Sequence, residues 1–214
     1  PLGGIEDEVS KFLDPALQNY NDTWDKIENM HKRILSDDFR FAHPDSFGNG
    51  WIYNWFCMDH VGYDYNPRHR DMGYHNIYDR YLEILDKYGR YKDDVQFHFH
   101  PMSHYKEANR AGKSYEHSNT LYQILSRRII DREFFPAAFR AGCVTERPDA
   151  NWFLEQWIPF DCSNFAVEDH NKEMHKDQKN GQAGDWRRAP HDWSIYHPDI
   201  YDYQVPGSCH RTIG

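Results

Sequence analysis

Three observations predict that this chain of 214 residues is an α/β protein built around a parallel sheet. Short apolar or alternating runs at 51–59, 95–100, 135–141 and 158–161 have the length and pattern of strands. Longer runs, with apolar residues three and four apart, lie at 74–88, 120–132 and 149–156 and read as helices. Strands that alternate with helices form βα units, and such units build parallel sheets. No repeat of fixed period is visible, so 1–214 is read as one domain.

Taken in order, residues 1–20 hold Gly3, Gly4 and Pro15 with little periodicity and read as loop. A helix then begins at Asn21, capped by Asn21 or Asp22, with Trp24, Ile27, Met30, Ile34 and Leu35 along one face. Pro44, Gly48 and Gly50 make 39–50 a loop, and 51–59 is short and apolar enough to be a buried strand. The stretch 62–73 is polar loop around Asn66-Pro67-Arg68. Ile77, Tyr81, Leu82 and Leu85 give 74–88 its apolar face, and Gly89 stands where a helix C-cap would. In the helix at 120–132, Leu121, Ile124, Leu125 and Ile129 face inward while Arg127, Arg128 and Arg132 are expected to meet solvent. Residues 165–188 turn hydrophilic and read as an excursion loop, and 189–214, with Pro190, Pro198 and Pro206, resist division into elements.

Composition excludes several classes of function. The chain has 25 Lys+Arg against 34 Asp+Glu, a net charge of −9, so no basic surplus exists to displace counterions from a nucleic acid. No apolar run is long enough to span a bilayer. Aromatic residues make up 16% of a chain that is only 39% hydrophobic, which suits a folded core with rings left over for surfaces or a pocket. The four cysteines, Cys57, Cys143, Cys162 and Cys209, form no CxxC pair, which argues for free thiols in a reducing, cytoplasmic setting. Neither a phosphate-cradling glycine loop nor a Ser-His-Asp or Cys-His nucleophile motif is present.

Fourteen histidines are the unusual feature of the composition, and the sharpest motif is Gln96-Phe97-His98-Phe99-His100-Pro101-Met102-Ser103-His104. On a strand Gln96, His98 and His100 point one way and Phe97 and Phe99 the other. Pro101 ends the strand, and His104 returns from the loop. Sites in βα sheets are built at the C-terminal ends of the strands. Two or three imidazoles gathered there would suit a zinc ion or another divalent metal. Hydrogen-bonded, half-buried histidines that bind nothing are the plainer alternative.

His100-xxx-His104 resembles the His-rich metal motif of the NodB-type polysaccharide deacetylases (carbohydrate esterase family 4), with Pro101 where that family usually has Ser or Thr. Phe139-Arg140-Ala141-Gly142 is similar to the family's arginine motif, with Gly142 in place of the usual Pro. Ile158-Pro159-Phe160-Asp161 looks like the next strand, and Asp192-Trp193 resembles a fourth motif. These matches run in the family's order over roughly 20–214 and lie nearest its divergent O-antigen branch.

The resemblance implies a distorted (β/α) barrel and a zinc-dependent deacetylase acting on an N-acetylated sugar or polysaccharide precursor. His100 and His104 would bind the metal, with His98 as a third ligand or a supporting partner. Arg140 would orient a catalytic base or bind substrate, the plainer alternative being a surface salt bridge. Asp161 would pair with Arg140 or join the zinc shell, a solvated carboxylate being equally open. Trp193 would line the pocket. The family's base-bearing first strand and its late histidine are expected before Pro1 and after Gly214, unless Asp59, at the end of its strand, replaces the missing aspartate. Two rivals share these residues: a metal-dependent amidase for a small C–N substrate, and a carbohydrate-binding relative without activity. Acidic charge and abundant aromatics favour a neutral or amino sugar over a polyanion.

Overall fold

The computed structural model describes residues 23–61, 74–100, 119–144, 146, 148–164, 186, 188–192 and 194–214. Its elements are α1 (Trp24–Ile34), α2 (Asp37–Arg40), β1 (Asn54–Val61), α3 (Tyr74–Tyr88), β2 (Asp94–His100), α4 (Asn119–Arg132), β3 (Ala138–Ala141), a 3-10 turn (Gly142–Val144), α5 (Pro148–Leu154), β4 (Phe160–Asp161) and β5 (Thr212–Ile213). The five strands form one sheet in the order β1-β2-β3-β4-β5, and every pairing is parallel. The expected α/β class with a parallel sheet is what the chain forms.

Strand limits follow from where backbone donors are spent. β1 starts three residues later than expected because Trp51 and Tyr53 bond elsewhere: the Trp51 N–H goes to the Arg40 carbonyl, and the Tyr53 N–H to Asp93 Oδ1 at 2.8 Å. β3 is shorter than 135–141 because Pro136 has no N–H and the Ala137 N–H donates to Gln96 Oε1 at 3.0 Å. β4 is confined to two residues because the Ile158 N–H still closes the α5 turn on Leu154 and Pro159 has no donor. β5 lies in the segment that sequence could not divide, and its Thr212 N–H reaches the Pro159 carbonyl at 2.8 Å.

The helices pack on one face of the sheet. Val95, Phe97 and Phe99 of β2, with Phe139 and Ala141 of β3, meet Tyr78 and Leu85 of α3, Leu121, Ile124 and Leu125 of α4, and Phe153 and Leu154 of α5. Each of the larger side chains contributes about 1.5–3 kcal/mol when fully buried. α3 has the expected limits, and Gly89 follows it with φ +98°, a left-handed conformation that glycine adopts without strain.

Three details differ from expectation. The cap of α1 is Thr23, whose hydroxyl accepts from the Lys26 N–H, and the centre of its buried face is His31, stacked 4.2 Å from the Trp55 ring. The region 39–50 is not all loop, since Arg40 ends α2 and is buried between the Tyr53 and Tyr91 rings, bonded to Asp93 at 2.9 and 2.6 Å. Arg128 does not meet solvent: it is fully buried and lies 4.3 Å from the Tyr78 ring centroid. Aromatic faces, rather than water, receive these cations. Among the described residues no helix is long and apolar enough to cross a membrane.

Candidate functional site

Because Phe97 and Phe99 belong to the core, alternation sends Gln96 and His98 to the opposite face of β2. Register then carries a row across that face. Met58 of β1 pairs with His98, and His98 pairs with Arg140 of β3. Cys162, whose N–H bonds the Phe139 carbonyl at 2.8 Å, continues the row beyond β4. The row lies toward the C-terminal ends of the strands, where βα folds place their sites.

Gln96 supports the row from below. It is buried, donates through Nε2 to Asn54 Oδ1 at 3.0 Å, and accepts at Oε1 from the Ala137 and Ala138 N–H groups at 3.0 and 2.9 Å. One amide thereby satisfies two backbone donors at the start of β3 and ties β3 to β1.

His98 is buried, and its Nδ1 lies 2.8 Å from the Arg140 backbone carbonyl. A carbonyl oxygen only accepts, so Nδ1 carries the proton and Nε2 presents a lone pair. Burial lowers the pKa of the ring; the bond to Arg140 opposes this and the Arg140 charge adds to it. The ring is therefore neutral at pH 7, with Nδ1 anchored by the backbone. That is the protonation and tautomer an imidazole needs to ligate a metal through Nε2, with its other N–H held by a backbone carbonyl.

Arg140 is exposed, and its Nη1 makes a long bond of 3.4 Å to the Cys162 carbonyl. No carboxylate pairs with its guanidinium among the described residues. The Cys162 thiol is pushed up by its burial and then by the Asp161 charge, with Arg140 and Arg211 opposing, so it is uncharged at neutral pH. Met58, His98 and Cys162 are thus neutral, and Arg140 is the charge of the row.

The expected site residues are distributed unevenly around this row. His98 and Arg140 stand side by side within it. His100 ends β2 opposite Val61, two positions beyond His98. Asp59 falls in a bulge: Met58 pairs with His98 and Val61 with His100, so Asp59 and His60 together stand opposite Phe99. Asp161 does not pair with Arg140. It shares register, and so a face, with Phe139, and its Oδ2 lies 2.9 Å from Nη2 of Arg211, both side chains fully buried. The fifth strand, β5, brings the adjoining Arg211 to that position, which could not be foreseen without the strand. Asp192 is exposed and accepts from the Ser194 N–H and hydroxyl at 3.1 and 2.6 Å. His104 and Trp193 lie outside the described residues.

Sequence reasoning passed over Met58 and Cys162. Alternation within Trp55-Phe56-Cys57-Met58 and Phe160-Asp161-Cys162 gives each a face, but only register brings them into line with His98. Among the described residues no three His, Cys, Asp or Glu side chains gather as a metal site, so the row alone supplies one prepared imidazole rather than a ligand set. The chain matches no protein-family model, no curated protein and no solved structure.

Proposed function

We propose that the chain is a metal-dependent hydrolase resembling the NodB-type polysaccharide deacetylases, removing N-acetyl groups from a sugar of a surface polysaccharide or O-antigen precursor. The observation that carries this reading is the His98 Nδ1–H bond to the Arg140 carbonyl, which fixes the ring of a buried histidine toward the C-terminal end of a parallel strand. His98, His100 and His104 would hold the zinc or other divalent ion. When bound, such an ion polarises an amide carbonyl and makes water a nucleophile near neutral pH.

The chain's own residues supply the rest. The Arg140 carbonyl fixes the ring of His98, and burial keeps that ring unprotonated, so it competes with no proton for its ligand. The Arg140 side chain lies on the same face and orients substrate there. Asp59, in the bulge of β1, and Trp193 are the residues proposed to meet the sugar. A strand order that never reverses supports a barrel-like curvature, because right-handed crossovers then put every helix on one side and leave the other concave. Among the described residues Cys57, Cys162 and Cys209 form no disulfide, which suits a cytoplasmic site of action.

The test is release of acetate and free amine from N-acetylglucosamine oligomers by protein supplied with zinc, set beside elemental analysis. Activity that follows zinc content, with both lost in His98→Ala and in a His100→Ala/His104→Ala pair, is the expected result. Zinc bound without turnover on any N-acetylated sugar favours the non-catalytic carbohydrate-binding relative. No metal retained after zinc loading overturns the reading.

A further inference from the structure

An arginine that meets solvent in an acidic protein usually finds a carboxylate. Arg80, Arg90, Arg132 and Arg188 each do so here, with Glu83, Asp94, Asp79 and Asp202 at 2.5–2.9 Å. The acidic excess of the chain makes such pairing easy. Arg140 is the exception within the candidate site: its guanidinium reaches one backbone carbonyl, that of Cys162, at 3.4 Å, and no acidic side chain among the described residues. A guanidinium presents five donors in a planar fork, so one long bond leaves most of that capacity unused.

Its surroundings sharpen the point. Across the row, Met58 pairs with His98 and His98 with Arg140, so no carboxylate stands beside Arg140 in register on that side. The backbone of Arg140 is fixed twice by β2, through the ladder and through the bond its carbonyl accepts from the His98 ring, so the base of the side chain does not wander. A positive fork on a rigid strand, with no carboxylate partner among the described residues and an exposed end, is the arrangement that receives an oxyanion in a bidentate manner.

We propose that Arg140 binds an oxyanion carried by the substrate, so that the sugar accepted on this face bears a carboxylate or phosphate beside its acetamido group. The proposal rests on the reading that this face receives the sugar, and it narrows that reading to substrates with one anionic group. A polyanion does not fit, because the chain's net charge of −9 opposes it beyond the first contact. Arg140 acts here as a specificity residue and takes no part in moving a proton.

Calorimetric titration tests this without turnover, using three probes: uncharged N-acetylglucosamine, N-acetylglucosamine 1-phosphate and N-acetylmuramic acid. The expected result is that one or both anionic probes bind about tenfold more tightly than the uncharged sugar. The phosphate arm alone points to an activated precursor, and the carboxylate arm alone to an acidic sugar. Arg140→Gln should abolish the preference, the larger loss falling on the anionic probes, and Arg140→Lys should keep part of it. Circular dichroism verifies folding of both variants, which alter an exposed side chain and leave the strand's backbone bonds in place. Equal binding of all three probes, binding of none, or an Arg140→Gln loss that is the same for charged and uncharged sugars overturns the proposal. Acetate release from uncharged oligomers together with equal binding of all three probes would sink this inference but spare the hydrolase. An arginine-dependent preference without any acetate release would do the reverse.

Discussion

The imidazole of His98 donates through Nδ1 to the backbone carbonyl of Arg140, 2.8 Å away on the neighbouring strand. Because the acceptor belongs to the main chain, the bond belongs to the sheet and does not depend on the side chain at 140. The ring should therefore stay in the Nδ1–H tautomer at pH 7 and titrate below the ordinary histidine range, as its burial requires. Long-range proton–nitrogen NMR on labelled protein distinguishes the two nitrogens directly. Arg140→Gln should preserve the tautomer. Two nitrogens of equal character at pH 7 in the wild-type protein would contradict the geometry.

Metal removal is the second expectation. A folded chain that holds zinc through His98 and its neighbours gains stability from binding, because the unfolded chain presents no assembled site. With free metal at a hundred times its dissociation constant, that gain is about 2.7 kcal/mol. Chelation should lower the unfolding temperature by several degrees, and added zinc should restore it. His98→Gln should start from the lower temperature and respond to neither treatment. A wild-type melting curve indifferent to chelator and zinc would count against the metal reading.

The Asp161–Arg211 pair gives a third. Both side chains are fully buried, the contact is 2.9 Å, and Asp161 Oδ1 also accepts from the Ser163 N–H at 2.9 Å. Arg211 in addition lies 5.1 Å from the Phe139 ring centroid, which puts the pair under the sheet on the side of the core. Removing one partner strands a buried charge, so Asp161→Asn should cost about 3–5 kcal/mol in urea denaturation. An Asp161→Leu/Arg211→Met pair should recover most of that loss. Activity per folded molecule separates support from chemistry: a role confined to the fold leaves it unchanged in the double variant, whereas a carboxylate that touches substrate would take activity with it.

Much of the fold was legible because it depended on local pattern. Ile77, Tyr81, Leu82 and Leu85 spell a helix by spacing, and Gly89 supplies the left-handed residue that ends it. Val95, Phe97 and Phe99 alternate with Gln96 and His98, so two faces of β2 could be read from six letters. What escaped were partnerships between distant residues. Nothing near Arg40 signals that Asp93, fifty-three positions on, will bury it with two bonds. Nothing near Asp161 signals Arg211. β5 is only two residues long, too short to carry a period, and exists because the Pro159 and Asp161 carbonyls offer ladder acceptors. The candidate site was half legible on the same ground: His98 and Arg140 could each be singled out, but their adjacency is a matter of register.

His31 supplies the last prediction, and it concerns pH. The ring is fully buried in α1, stacked on Trp55 at 4.2 Å and edge-on to Tyr81 at 5.5 Å, with Nδ1 donating to the Ile27 carbonyl at 2.8 Å. Its Nε2 has no hydrogen-bond partner among the described residues. Burial lowers the pKa of His31 from the ordinary 6.5, opposed by the Ile27 bond and the Asp93 charge, while Tyr81 beside it is pushed up to about 12 and stays neutral. The unfolded chain therefore takes up a proton at this residue at higher pH than the folded chain does. Stability from this site is complete above about pH 6.5 and is lost as pH falls through the lower folded value. Urea midpoints measured between pH 7.5 and 5, on the order of the range where histidines titrate, should fall with acid in the wild-type protein. His31→Phe, which keeps the stack and cannot bind a proton, should flatten that slope. His31→Ala should also flatten it but cost about 3 kcal/mol at every pH, through the cavity left beneath Trp55. A wild-type slope that His31→Phe leaves unaltered would assign the acid sensitivity to other groups.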